Sequence, residues 1–139
     1  MKRGIIAGSF DLIHPGYVRM FKESKQICDH LIVALQDDPT IERITKCKPA
    51  HTLEERKEIL SSIRYIDEIV TYNIESELYE LLKNVEYDVR ILGVEYKEKD
   101  YTGKDLGKEV FWLERPHKYS TTSLKEKIYK ERLEFKLKS

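Results

Sequence analysis

Apolar residues along this chain fall into short unbroken runs, separated by longer stretches in which they recur at helical spacing. Gly4-Ile5-Ile6-Ala7 and Leu31-Ile32-Val33-Ala34-Leu35 are all apolar yet too short for helices, the pattern of strands covered on both faces. Between them Val18, Met20, Phe21 and Ile27 mark one helical face. Two such strands around a helix predict a right-handed βαβ unit in a parallel sheet. The alternation continues. Thr52-Leu53-Glu54-Glu55 has capping-box spacing and opens a helix through Arg56, Ile59, Leu60 and Ile63. Residues 64–70 close that helix and open a third strand. Residues 74–84 form a helix with a stripe of Leu78, Leu81 and Leu82. Residues 88–93 make a fourth strand ending in Gly93, and Glu109 to Leu113 a fifth. Ser120-Thr121-Thr122 then caps a last helix carrying Leu124, Ile128 and Leu133.

This order predicts one α/β domain over residues 1–139: Rossmann-like and doubly wound, with a mainly parallel five-stranded sheet and helices on both faces. The length suits a single domain with a substantial core. The 25 basic and 25 acidic residues balance, which argues against a nucleic-acid partner, since that needs a basic surface. No apolar run reaches the length of a membrane span, and with the first residues leading straight into a strand no secretory segment is expected. Cys28 and Cys47 match no metal-ligand spacing and point to reduced thiols, a cytoplasmic location and no structural metal. Residues 135–139 are expected to fray or to serve a subunit contact.

Candidate chemistry gathers where strands end. Gly8-Ser9-Phe10-Asp11-Leu12-Ile13-His14-Pro15-Gly16-Tyr17 empties the first strand into a helix N-terminus, where unpaired N–H groups and the helix dipole favour phosphate. Pro15 suits a first helical turn, and Gly16 leaves room for a ligand against the backbone. Gln36-Asp37-Asp38-Pro39 ends the second strand at the same edge, where ligands of open α/β sheets bind. The polar segment 40–50, with Lys46 and Lys48, has the character of a lid. The Ser-Thr-Thr cap brings a second helix N-terminus to this edge. A charged loop with Gly103 and Gly107 precedes the fifth strand and is of the kind that follows the substrate.

The string at residues 8–17 resembles the Gly-(Thr/Ser)-Phe-Asp-x-x-His-x-Gly-His signature of the cytidylyltransferases, most closely the small enzymes that make CDP-glycerol from CTP and glycerol 3-phosphate. Arg115-Pro116-His117-Lys118-Tyr119-Ser120-Thr121-Thr122 resembles that family's Arg-Thr-x-Gly-Ile-Ser-Thr-Thr block. Arg64-Tyr65-Ile66-Asp67-Glu68-Ile69 and Gly93-Val94-Glu95-Tyr96 are similar to two further family segments. Two departures stand out: Tyr17 replaces the second signature histidine, and Cys47 takes a position where relatives carry lysine.

The resemblance implies a single nucleotidyltransferase domain in which a phosphomonoester attacks the α-phosphorus of CTP and releases pyrophosphate. An anionic nucleophile needs no dedicated base, so the site must align the reactants and neutralise growing charge. By resemblance His14, Tyr17, Lys46, Lys48, Arg64 and Arg115 act in catalysis, while Gly8, Ser9, Phe10, Asp11, Gly16, Ser120, Thr121 and Thr122 bind the nucleotide. Asp11, Asp38 and Glu95 lie near the acceptor or a Mg²⁺ ion that accompanies the nucleotide. Tyr17 is expected to donate to phosphate oxygens as the missing histidine would. The acceptor is a small phosphorylated alcohol of the glycerol 3-phosphate kind, and a homodimer is implied. Two alternatives stay open: an adenylyltransferase using ATP, of the FAD- or ADP-sugar-forming type, and a catalytically silent nucleotide-binding module, for which Tyr17 speaks.

Overall fold

The computed structural model describes residues 1–138. Its five strands are β1 (Arg3–Gly8), β2 (His30–Gln36), β3 (Glu68–Tyr72), β4 (Val89–Gly93) and β5 (Glu109–Leu113). Four helices accompany them: α1 (Pro15–Gln26), α2 (Leu53–Ser61), α3 (Glu75–Asn84) and α4 (Thr121–Lys138). All pairings are parallel, in the order β3-β2-β1-β4-β5. The chain builds outward from β1 through β2 to β3, then returns to β1's other side with β4. The crevice where that direction reverses lies above the carboxyl ends of β1 and β4.

Alternate residues of the central strands feed two cores. Ile6, Leu31, Val33 and Leu35 pack with Phe21 of α1 and Leu60 of α2. Ile5, Ile32 and Ala34 face the other way, against Leu78 and Leu82 of α3. The five-stranded parallel sheet with helices on both faces is therefore as the apolar runs predicted. The capping box is also present: Thr52 Oγ1 accepts from the Glu55 N–H at 3.1 Å, and Glu55 Oε1 accepts from the Thr52 N–H at 2.9 Å.

Two boundaries move. The third strand opens at Glu68, because 62–67 forms turns in which the Asp67 carboxylate accepts the Leu31 N–H at 2.8 Å and so docks the segment beside the start of β2. The final helix buries no residue and leaves Ile128, Tyr129, Leu133 and Phe135 exposed. It runs to Lys138 without fraying; Ser139 lies outside the described residues. Among the described residues no helix is long and apolar enough to cross a membrane, and both cysteines are free thiols.

One buried side chain ties the sheet edge together. Arg56, in the first turn of α2, is 2% exposed. Its guanidinium donates to the carbonyls of Ser9 (2.9 Å), Gln36 (2.6 Å), Asp37 (2.6 Å) and His51 (3.1 Å). Two strand ends and the approach to α2 thus share one cation, with all four contacts made to neutral carbonyls. Arg56→Met keeps the volume but strands those acceptors, and is expected to destabilise the chain by about 3 kcal/mol or more. A urea midpoint equal to wild type would show that the fork is dispensable.

Candidate functional site

The turn after β1 is built against local preference. Phe10 (φ 44°) and Leu12 (φ 53°) adopt left-handed backbone conformations that side-chain-bearing residues seldom occupy. Tertiary contacts hold them there. The Phe10 ring is buried edge-on to Tyr17 and Phe21, with centroids 5.5 and 5.2 Å away. Asp11, 4% exposed, accepts from the N–H groups of Ala50 (2.7 Å) and His51 (3.0 Å) and pairs with Lys125 of α4 at 3.4 Å. Burial alone would raise the Asp11 pKa, but those backbone donors and Lys125 outweigh it and hold the carboxylate below its ordinary range. Asp11 therefore shapes the turn and fastens the end of the 42–50 loop.

His14 is the N-cap of α1, with Pro15 in the first turn as its fixed φ favours. Its Nδ1 accepts the Gly16 N–H at 3.1 Å. An acceptor at Nδ1 leaves the proton of the neutral ring on Nε2. That Nε2 is buried and has no hydrogen-bond partner. Burial, with the electrostatic influence of His117 and Arg115, pushes the His14 pKa below its ordinary 6.5, so the ring is a neutral Nε2–H donor at pH 7. Gly16 also has a packing role: a Cβ there would stand 2.5 Å from His117 Cε1 and 2.9 Å from His14 Cε1.

The second block arrives at the same place. Ser120 caps α4, its Oγ accepting the Ser123 N–H at 3.0 Å. Thr121 points back: its hydroxyl donates to the Asp11 carbonyl at 2.8 Å and lies 3.1 Å from the Tyr17 hydroxyl. A hydroxyl has one proton, so with Thr121 donating to Asp11 the Tyr17 hydroxyl donates to Thr121. The Tyr17 ring stacks on His14 at 4.1 Å. Tyr17 thus joins the two motif blocks in the free protein, and donation to a phosphate would require that link to open.

Around these residues lies a cavity of about 670 Å³, lined among others by Ser9, Asp11, His14, Lys46, Arg115 and Ser120. Gly16, Tyr17, Thr121 and Thr122 also reach it. Gly8, Phe10 and Glu95 line an adjoining cavity, which shares Ser9, Tyr17, Lys46 and Arg115 with the first. Arg115 pairs with Glu95 at 3.4 Å on the open side, a contact exposed enough to exchange readily. Three expected residues lie apart from both cavities. Lys48 sits on the 42–50 loop outside their lining, and Asp38 is engaged by Thr40, accepting from its N–H at 2.9 Å and its hydroxyl at 2.6 Å. Arg64 lines neither cavity: it lies between α2 and β3, with its guanidinium over the Tyr65 ring at 5.2 Å.

Sequence reasoning passed over Arg56, His117 and Tyr119. Tyr119 is stacked 6.2 Å from His14 and receives the Arg19 guanidinium at 5.2 Å. No periodicity marks such contacts, although His117 does lie inside the block that resembled the family. Tyr17→Phe keeps the stacking and removes only the link to Thr121. It is expected to lower stability by about 1 kcal/mol, read as a shift in urea midpoint; an unmoved midpoint would mean that the link carries no weight.

Residues 5–127 match the family model described as cytidylyltransferase-like. The chain is 37% identical over 130 residues to the glycerol-3-phosphate cytidylyltransferase of Bacillus subtilis (strain 168), a match covering 92% of this chain and 98% of that protein. It is also 34% identical over 107 residues to the bifunctional protein HldE of Gluconacetobacter diazotrophicus, covering 76% of this chain but 22% of HldE, so it spans only about a quarter of the HldE relatives' length. Among solved structures, the lipopolysaccharide core biosynthesis protein from Thermoplasma volcanium GSS1 aligns over 86% of this chain and 99% of its own, with TM-score 0.66 and 26% identity. With a crevice at the β1/β4 reversal, two motif blocks joined across it and relatives matched along nearly the whole length, this chain belongs to the cytidylyltransferase-like family.

Proposed function

We propose that the chain transfers a cytidylyl group from CTP to the phosphate of a small phosphorylated alcohol of the glycerol 3-phosphate kind, giving a CDP-alcohol and pyrophosphate. An acceptor phosphate oxygen forms the new bond to the α-phosphorus. The bond from that phosphorus to its bridging oxygen breaks, and the electron pair leaves with pyrophosphate. The observation that carries this reading is His14 Nε2: a buried N–H donor without an acceptor, on a residue that lines the cavity at two helix N-termini. Leaving a buried donor unpaired is costly, and a phosphate oxygen would satisfy it.

In this reading the N–H groups of Ser9 and Phe10, with Ser120 and Thr122, hold the triphosphate. Lys46 and Arg115 neutralise charge on the phosphorane and on pyrophosphate, Arg115 leaving Glu95 to do so. Tyr17 and Thr121 keep the two blocks in register, and Tyr17 reaches phosphate only if their link opens. The chain's own carboxylates are poor ligands for a resident metal: two N–H groups and Lys125 take up Asp11, Thr40 takes up Asp38, and Arg115 takes up Glu95. Among the described residues no cluster of three potential ligands forms, so Mg²⁺ in this proposal arrives on the triphosphate as part of the substrate. A cytoplasmic homodimer belongs to the same reading, the location argued from the two free cysteines and the dimer from the resemblance, and sedimentation velocity would read its mass.

Pyrophosphate release with CTP or ATP against a panel of phosphomonoesters tests the assignment. CTP-dependent turnover supports it; turnover with ATP alone, or nucleotide binding without turnover, overturns it. His14→Ala is expected to lower kcat by about 10²- to 10³-fold, the usual loss for one transition-state donor. The pH profile carries the sign of the His14 shift. The neutral donor predominates above a pKa that lies below 6.5, so the acid limb of kcat/KM should have its midpoint below 6.5. An acid limb turning above pH 7 would contradict the assigned role.

A further inference from the structure

The adjoining cavity, of about 460 Å³, extends to the α3 side of the sheet, and Arg90 of β4 forms part of its wall. Arg90 is 6% exposed. Its Nη1 donates to the Thr102 carbonyl at 2.7 Å, and its guanidinium lies 5.7 Å from the Tyr101 ring centroid. Its Nε is buried without a partner. The other arginines of this cavity have counter-ions: Arg43 pairs with Glu75 at 3.6 Å and Arg115 with Glu95 at 3.4 Å. Arg90 forms no ion pair among the described residues. Of the carboxylates Glu75 acts on it most strongly, and Glu75 is already held by Arg43 and by the Thr102 hydroxyl at 2.7 Å.

A guanidinium stays charged even when buried, and a buried charge without a counter-ion is costly. Stapling the 97–107 loop explains Nη1 and the ring face but leaves Nε and the charge unmatched. We propose that Arg90 lines the acceptor subsite and that the acceptor carries a carboxylate beside its reacting phosphate, making it a phosphorylated hydroxy acid. One unmatched positive charge calls for one negative charge, and the planar fork of arginine suits a carboxylate. This inference rests on the transfer reading for its placement of the acceptor, and names the acceptor's class.

Calorimetric titration of the whole chain with 3-phosphoglycerate and with glycerol 3-phosphate tests it, because the two probes differ in carboxylate against hydroxymethyl. Wild type is expected to bind 3-phosphoglycerate about 10- to 100-fold more tightly, the worth of one charge-assisted contact. Arg90→Met should abolish that gap while leaving CTP binding unchanged, and Arg90→Lys should keep part of it. Equal or weaker binding of 3-phosphoglycerate by wild type overturns the inference, as does a gap that survives in Arg90→Met. A loop-stapling role alone would weaken both probes together and also overturns it. If Arg90→Met does not fold, wild type and Arg90→Lys decide. Binding is read without turnover, so a chain that prefers the carboxylate yet releases no pyrophosphate sinks the transfer reading and spares this one. Turnover of glycerol 3-phosphate with no binding preference does the reverse.

Discussion

The site depends on a turn that its own residues do not favour. Phe10 and Leu12 lie in left-handed conformations, and each such residue costs on the order of 1–3 kcal/mol unless its surroundings over-determine it. Tyr17 and Phe21 pack on the Phe10 ring, and the hydrogen bonds to the turn come from segments distant in sequence. Arg56 holds the Ser9 carbonyl from below, Ala50 and His51 donate to the Asp11 carboxylate, and Thr121 donates to the Asp11 carbonyl. In the folded chain α2, the end of the 42–50 loop and α4 all contact this one turn.

That dependence separates two kinds of charge. Arg56 and Asp11 are buried, fully bonded and committed to shape. Arg115 is exposed, and its contact with Glu95 is the loose kind that solvent screens. A site whose donors are positioned before substrate arrives needs little reorganisation during reaction, while loosely held cations remain free to follow charge as it moves. His14 stands between the two kinds: anchored through Nδ1, buried and unpartnered at Nε2.

The replacement of the second signature histidine fits this division. Tyr17 keeps a flat ring against His14 and sends its hydroxyl to Thr121, so the position still links the block at residues 8–17 to the block at 115–122. The partner of that hydroxyl depends on Thr121, more than a hundred residues away, and no local pattern names it.

What the chain determines by itself is the layout of elements. Short unbroken apolar runs such as Leu31 to Leu35 read as strands covered on both faces, and the Thr52–Glu55 box and the Pro15 start mark helix ends, because these signals arise from neighbours within a few residues. Much of the crevice was legible too, since His14, Arg115 and Ser120 lie in motif strings at strand ends. Contacts between distant segments were not. That Arg64 lines neither cavity, that Gly16 makes room for two histidines, that Arg56 supports the sheet edge and that Arg90 lacks a counter-ion are consequences of packing. Burial and charge pairing are properties of assembled neighbours, so only the tertiary structure could decide them.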